Sequence, residues 1–254
     1  MPVAAPRQTQ IFNEGHDMRQ KWAIVTGGAR NIGQAIGRRL LDDGFRVIVL
    51  DILTPEDSDL RADAIEVDLS DRKAAEAIFA EIAAKHPVTA LINNVGIVRP
   101  ALFDDVSIDD FATVLNLNSR TALIAAKAIV PVMRKLGGGR IVMNTSRVTL
   151  GKEARSLYSA SKGALQSMAR TWALELARDQ ITVNCVAPGP IATSVFSANN
   201  PPEAEYTRDL MASIPVQRMG TPEDVANAVS FFCDPRSGFV TGQTLFVCGG
   251  VTVG

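Results

Sequence analysis

From Trp22 onward, short apolar runs rich in β-branched residues alternate with longer stretches whose apolar positions recur at helical spacing. The short runs are Trp22 to Thr26, Arg46 to Asp51, Ala64 to Val67, Thr89 to Asn93, Arg140 to Thr145, Ile181 to Val186 and Thr244 to Val247. The longer ones are Ile32 to Asp43, Asp71 to Lys85, Phe111 to Leu136, Tyr158 to Arg178 and Pro222 to Phe232. Strand and helix in this alternation predict an α/β chain with a parallel sheet of about seven strands and helices on both faces. Right-handed crossovers make a single doubly wound domain over residues 21–254 the simplest topology.

Element boundaries carry their own signals. Thr221-Pro222-Glu223-Asp224 reads as a capping hydroxyl, a first-turn proline and two acids at the positive end of a helix, and Gly44 is placed to close the first helix. There is no internal repeat or interdomain linker. The segment from Thr193 to Pro215, with Asn199-Asn200-Pro201-Pro202 at its centre, is too long and polar for a simple connection and reads as a lid over a pocket or a surface excursion. Residues 1–20 are polar, mixed in charge and without an apolar run, and read as a flexible arm rather than a signal peptide or membrane helix.

With 46% hydrophobic and 21% charged residues, the composition supports a large core and excludes global disorder. A net charge of −1 without blocks of like charge gives no footprint for nucleic acid or an acidic membrane, and favours a small-molecule partner. Cys185, Cys233 and Cys248 are scattered, and neither His16 nor His86 lies near them. That argues against disulfides and a metal site, and for a reducing, cytoplasmic setting.

Candidate chemistry begins after the first strand, in Thr26-Gly27-Gly28-Ala29-Arg30-Asn31-Ile32-Gly33, which leads directly into a helix. Glycines here let the backbone turn sharply and approach a pyrophosphate held by free N–H groups at the helix start. Asn31 can adopt the left-handed conformation that glycine would otherwise supply. The second strand ends in Asp51, whose carboxylate can accept hydrogen bonds from both adenosine ribose hydroxyls and would repel a 2′-phosphate; this favours NAD over NADP. Arg30, a cation in the turn that could neutralise a 2′-phosphate, argues the other way.

Tyr158 and Lys162 stand four residues apart, one turn of helix from each other on one face. A phenol is a poor base near neutrality, and a neighbouring ammonium should lower its pKa, so that Tyr158 can exchange a proton with an alcohol or carbonyl oxygen. Ser146, just past the fifth strand, can hydrogen-bond that oxygen. The spacing alone arises too often by chance to identify a site.

The ordered set is far more specific. The glycine turn, Asp51, Asp68-Leu69, Asn93-Asn94-Val95-Gly96, Asn118, Ser146, Tyr158 with Lys162, and Pro188-Gly189-Pro190-Ile191-Ala192-Thr193 together resemble the short-chain dehydrogenase/reductase family from about Trp22 to Gly250. Two departures stand out: Asn31 where the family usually has glycine, and Val95 where it usually has alanine. The resemblance implies a Rossmann-type fold and a catalytic group of Ser146, Tyr158, Lys162 and Asn118, with Lys162 also binding the nicotinamide ribose and Asn118 holding a water that links Lys162 to solvent. Counting from Phe111 selects Asn118 over Asn116 for that role. It further implies cofactor contacts from Gly27, Arg30, Asn31, Ile32 and Gly33 in the turn, from Asp51, from Asp68 and Leu69 beside the adenine, from Asn94 and Gly96 near the ribose and cofactor backbone, and from Pro188, Gly189, Ile191 and Thr193, the last two at the carboxamide.

The expected activity is an NAD(H)-dependent interconversion of a secondary alcohol and a ketone. An NADPH-dependent 3-oxoacyl-thioester reductase shares every motif, and a non-catalytic dinucleotide sensor or scaffold is the reading from another class. Val148, Leu150, Pro190, Val195, Phe196, Leu210 and Met211 give the expected substrate pocket an apolar character. Lys152, Glu153 and Arg155 read as a solvated loop or as a contact for a charged substrate group. The resemblance implies a homotetramer, or less often a dimer, built on two long helices and an apolar tail ending Val251-Thr252-Val253-Gly254.

Overall fold

The computed structural model describes residues 21–194, 196 and 204–253, so the N-terminal arm and part of the expected lid, Val195 included, lie outside the described residues. Seven parallel strands form one sheet: β1 (Lys21–Thr26), β2 (Phe45–Asp51), β3 (Ala64–Glu66), β4 (Val88–Asn93), β5 (Gly139–Asn144), β6 (Ile181–Pro188) and β7 (Thr244–Val247). Their order across the sheet is β3-β2-β1-β4-β5-β6-β7, the doubly wound Rossmann-type arrangement. The strand order therefore reverses between β1 and β4, and the crevice at their carboxyl ends is where such sheets bind ligands.

Both faces of the sheet are covered, which is why its strands read as continuous apolar runs. Along β1, Trp22 and Ile24 enter one core with Phe79, Ile129, Met133 and Leu165, whereas Ala23 and Val25 enter the other with Ile36, Leu40, Val225 and Val229. The first core is roofed by α3 (Arg72–Lys85), α5 (Thr121–Lys135) and α6 (Ser156–Leu176), and the second by α1 (Asn31–Asp42) and the helix Pro222–Cys233. The α1 stripe of Gly33, Ile36, Gly37 and Leu40 is buried at the i, i+3, i+4, i+7 spacing of an amphipathic helix.

Two expected boundary devices form as anticipated: Gly44 stands at φ +85, and Thr221 and Asp224 make a reciprocal capping box. Two elements differ from the sequence reading. A short helix, α2 (Ser58–Arg61), was not anticipated; Asp57 caps it by accepting from the N–H groups of Asp59 and Leu60, and Leu60 packs where Gly37 leaves room for it. The single helix expected from Phe111 to Leu136 is instead α4 (Ile108–Leu115), a π-turn over Asn116–Arg120, and α5. Hydrophobic spacing does not register a π-turn, because one widened turn shifts the apolar stripe by only one residue.

Within the expected lid the chain forms α7 (Glu205–Ala212), and α8 is Pro222–Cys233. Among the described residues no helix is long and apolar enough to cross a membrane.

Candidate active site

Two cavities open at the carboxyl end of the sheet and meet at Tyr158, Asn144, Ile32 and Thr193. The larger, about 570 Å³, runs over the switch point and is lined at the ends of β1 to β4 by Gly27, Arg30, Asp51, Asp68, Asn94 and Gly96, among others. The smaller, about 230 Å³, lies between Ser146 and the segment after β6.

The glycine turn is shaped by close approach. Gly27 stands at φ +64 with its α-carbon so near Val95 that a Cβ would come within 2.9 Å of the Val95 Cα. A Cβ on Gly33 would run into the Gly27 carbonyl. Asn31 adopts φ +50, the left-handed conformation expected of it, and its Oδ1 accepts from the Ser194 N–H at 2.9 Å and the Ser194 hydroxyl at 3.0 Å. The residue that departs from the family pattern thus joins the turn to Ser194, at the start of the expected lid.

No side chain caps the N-terminus of α1, where Arg30 is the N-cap, so that end stays available to an anion. Asp51 is fixed at the edge of the larger cavity by accepting from the Ala29 N–H at 3.0 Å and the Leu53 N–H at 3.2 Å. The Asp68 carboxyl, bonded by Ser70, sits below the usual carboxylate range. Buried Leu69 fixes its carbonyl on the Thr121 hydroxyl at 3.1 Å. A close-approach turn, an uncapped helix end and a fixed acid 18 residues past Gly33 fit a dinucleotide.

Asn94 differs from the expected ribose contact in one respect: its side chain is already committed. Its Nδ2 donates to the carbonyls of Thr26 and Gly27 at 3.0 and 2.8 Å, and its Oδ1 accepts from Asn144 Nδ2 at 2.6 Å. It braces β1 against β4 and β5 while lining the cavity. Asn118 is committed in the same way: its Oδ1 accepts from the Ile97 N–H, and its Nδ2 donates to the Ile97 carbonyl and the Ser161 hydroxyl, all between 2.8 and 3.0 Å. It lines neither cavity, and both of its amide hydrogens are already spent.

Ser146, Tyr158 and Lys162 do converge. Ser146 ends the approach from β5 close enough to Tyr158 to oppose the rise of its pKa, while Lys162 reaches across from the next turn of α6. Lys162 Nζ donates to the Asn144 carbonyl at 2.7 Å and stands 5.6 Å from the centroid of the Tyr158 ring. Lys162 is not among the groups that lower the Tyr158 pKa, which corrects the expected depression of the phenol. Burial pushes Tyr158 up to about 12, opposed in part by Ser146 and by the charge of Arg155, and burial pushes Lys162 down to about 8.

Pro188, Gly189 and Ile191 line the smaller cavity and not the larger, and Thr193 lines both. Of the expected substrate-pocket residues, Val148, Pro190, Phe196 and Leu210 line the smaller cavity, whereas Leu150 is 64% exposed and Met211 stays outside it. Two participants escaped the sequence reading. Asn144 holds Lys162 and Asn94 together, and its buried Oδ1 has no partner among the described residues; its place at the end of β5 was the available signal. Arg147 enters the smaller cavity directly after Ser146.

The family model described as enoyl-(acyl carrier protein) reductase matches residues 27–252. A 3-oxoacyl-[acyl-carrier-protein] reductase, FabG, from Aggregatibacter actinomycetemcomitans is 34% identical, over 90% of this chain and 98% of its own. The BbsD subunit of (2S)-[(R)-hydroxy(phenyl)methyl]succinyl-CoA dehydrogenase from Thauera aromatica is 31% identical, over 92% and 97%. A crystal structure described as a putative NAD(P)-dependent gluconate 5-dehydrogenase from Beutenbergia cavernae with bound NADP superposes with a TM-score of 0.83 at 31% identity, over 92% of this chain and 97% of that one. The chain belongs to the short-chain dehydrogenase/reductase family and is an NAD(P)-dependent oxidoreductase acting on carbonyl and hydroxyl groups of small molecules.

Proposed function

We propose that the protein interconverts a secondary alcohol and a ketone with NAD(H), using Tyr158 as the proton-transferring group. The observation that carries this is the meeting of Ser146, Tyr158 and Lys162 at the wall shared by the two cavities. NAD(P), when bound in the larger cavity, supplies or accepts the hydride. Tyr158, with a pKa raised to about 12, holds its proton at neutral pH and is ready to donate it to a ketone oxygen. Ser146 offers a hydrogen bond to the same oxygen and stabilises its developing charge. Lys162, held at the Asn144 carbonyl, keeps a positive charge beside the tyrosine ring below about pH 8.

Within the larger cavity, Gly27, Ile32 and Gly33 take the pyrophosphate, Asp51 the adenosine ribose, and Asp68 and Leu69 the adenine, with Gly96 beside the cofactor backbone. Asp51, anchored on Ala29 at the rim, supports NAD. A second reading, NADPH-dependent reduction of a 3-oxoacyl thioester, is favoured by Arg30 in the same cavity, by the NADP bound in the similar crystal structure and by the FabG relative. Exposed Leu123 on α5, Leu174 on α6 and Val253 in the tail support a homotetramer. A panel of alcohols and ketones, followed by nicotinamide absorbance with each cofactor, tests the reading. The expected outcome is turnover of secondary alcohols or ketones with a preference for NAD(H); a higher kcat/KM with NADPH on acyl thioesters supports the second reading instead.

A further inference from the structure

The two cavities differ in charge. The larger has Asp51 and Asp68 on its wall to set against Arg30, Arg99 and Lys162, whereas the smaller is lined by Arg147 and Lys152 and, among the described residues, by no acidic residue. Glu153, next to Lys152 in the chain, does not line it. Neither cation has a hydrogen bond or ion pair among the described residues. Arg147 is half-buried, with its stem against Gly189, where a Cβ would stand 3.5 Å from the Arg147 Cδ. Lys152 is exposed at the rim. The remaining wall includes the apolar Val148, Ile191, Phe196 and Leu210.

A partly desolvated guanidinium without a counterion, in a cavity that also holds the proton donor, is short of one negative charge. We infer that the substrate carries an anionic group, recognised by Arg147 from the inner wall and Lys152 from the rim, while its carbonyl sits at Ser146 and Tyr158. The volume of about 230 Å³ is below that of sites for drug-sized ligands and favours a compact molecule, so the anion is a carboxylate and the substrate an oxo acid or its hydroxy acid. The reaction balances as oxo acid, reduced nicotinamide and one proton giving hydroxy acid and oxidised nicotinamide: hydride adds to the carbonyl carbon, Tyr158 protonates the oxygen, and the carboxylate is unchanged.

This assignment rests on the oxidoreductase reading, and its test separates the two. Short unbranched oxo acids, their methyl esters and a ketose phosphate are compared as substrates with both cofactors. The expected result is a kcat/KM for one or more oxo acids at least about tenfold above that of the matching ester, with the acid KM rising as salt is added. In Arg147→Leu the acid-to-ester ratio should collapse about tenfold, with partial recovery in Arg147→Lys; Lys152→Gln should lower it less. The ratio removes any general loss at neighbouring Ser146. Esters and acids turned over equally, or a ratio unmoved by Arg147→Leu, would overturn the anion site and leave the oxidoreductase reading standing. Preference for the phosphate would overturn the choice of carboxylate. If nothing in this panel is turned over although cofactor binds, the proposed alcohol–ketone reading loses its support from these substrates, and the anion site is then decided by thermal stabilisation of the NAD-loaded protein. Stabilisation by 3-hydroxybutanoate beyond its methyl ester supports the site, and none overturns it.

Discussion

Apart from Arg30, the larger cavity is walled mainly by backbone in close approach and by side chains already bonded, whereas the smaller one presents two cations without partners among the described residues. Gly27 and Gly33 leave no room for a Cβ, Asn94 spends both ends of its amide on Thr26, Gly27 and Asn144, and Asp51 is tied to Ala29. Arg147 and Lys152 next door are held by nothing among the described residues. A surface that binds one invariant cofactor can be rigid and pre-satisfied. A surface that discriminates substrates must keep its polar groups for the substrate.

Lys162 stands at the junction, and apart from the loss of the Tyr158 hydroxyl its removal should have the largest effect. We expect Lys162→Met to lower kcat/KM by at least about a hundredfold while stabilising the cofactor-free protein at neutral pH by about 1–3 kcal/mol, because the fold depresses the lysine from 10.5 to about 8. The sign follows from proton uptake: between about 8 and 10.5 the unfolded lysine binds a proton that the folded one does not. Wild-type stability therefore gains with rising pH across that window, and the advantage of the variant should shrink there. Denaturant unfolding of both proteins at pH 7 and pH 9.5 checks this; an unchanged gap would mean that Lys162 is not strained by burial.

Within the rigid wall, Asp51→Asn keeps an acceptor for the Ala29 N–H but removes the charge. The ratio of kcat/KM for NADPH over NADH should rise about tenfold or more. An unchanged ratio would assign the cofactor choice to Arg30. The smallest effect is expected at the seam. Asn31→Gly keeps the left-handed backbone and deletes the acceptor for Ser194, so cofactor should bind a few-fold more weakly and hydrogen exchange at residues 193–196 should quicken, with little change in Tm. Exchange as slow as in the wild type would show that the Ser194 contact does not hold the lid.

This contrast also accounts for what was legible before any coordinates. Seven strands and the turn could be read because apolar runs and a backbone that demands Gly27, Gly33 and a left-handed Asn31 leave marks in residue type. Tyr158 and Lys162 were legible from spacing and order, but the relation between them was not. That Lys162 donates to Asn144 and does not lower the phenol depends on a β5 carbonyl that no spacing records. The π-turn at Asn116–Arg120 left no mark, because its effect is to turn Asn118 toward Ile97 and Ser161 across long chain separations. Arg147 was overlooked because a lone arginine after a serine looks like any solvated loop cation until the acids around it are counted.

The central claim, that Tyr158 transfers the proton, is tested most directly by single-turnover kinetics of Tyr158→Phe with reduced cofactor already bound. The phenyl ring keeps the packing beneath Lys162 and removes only the hydroxyl. The account predicts a turnover rate lower by about a thousandfold with a cofactor Kd within about twofold of wild type, since the pyrophosphate and adenine contacts lie elsewhere. Turnover within about tenfold of wild type would contradict it and move the proton donor to another group on the shared wall.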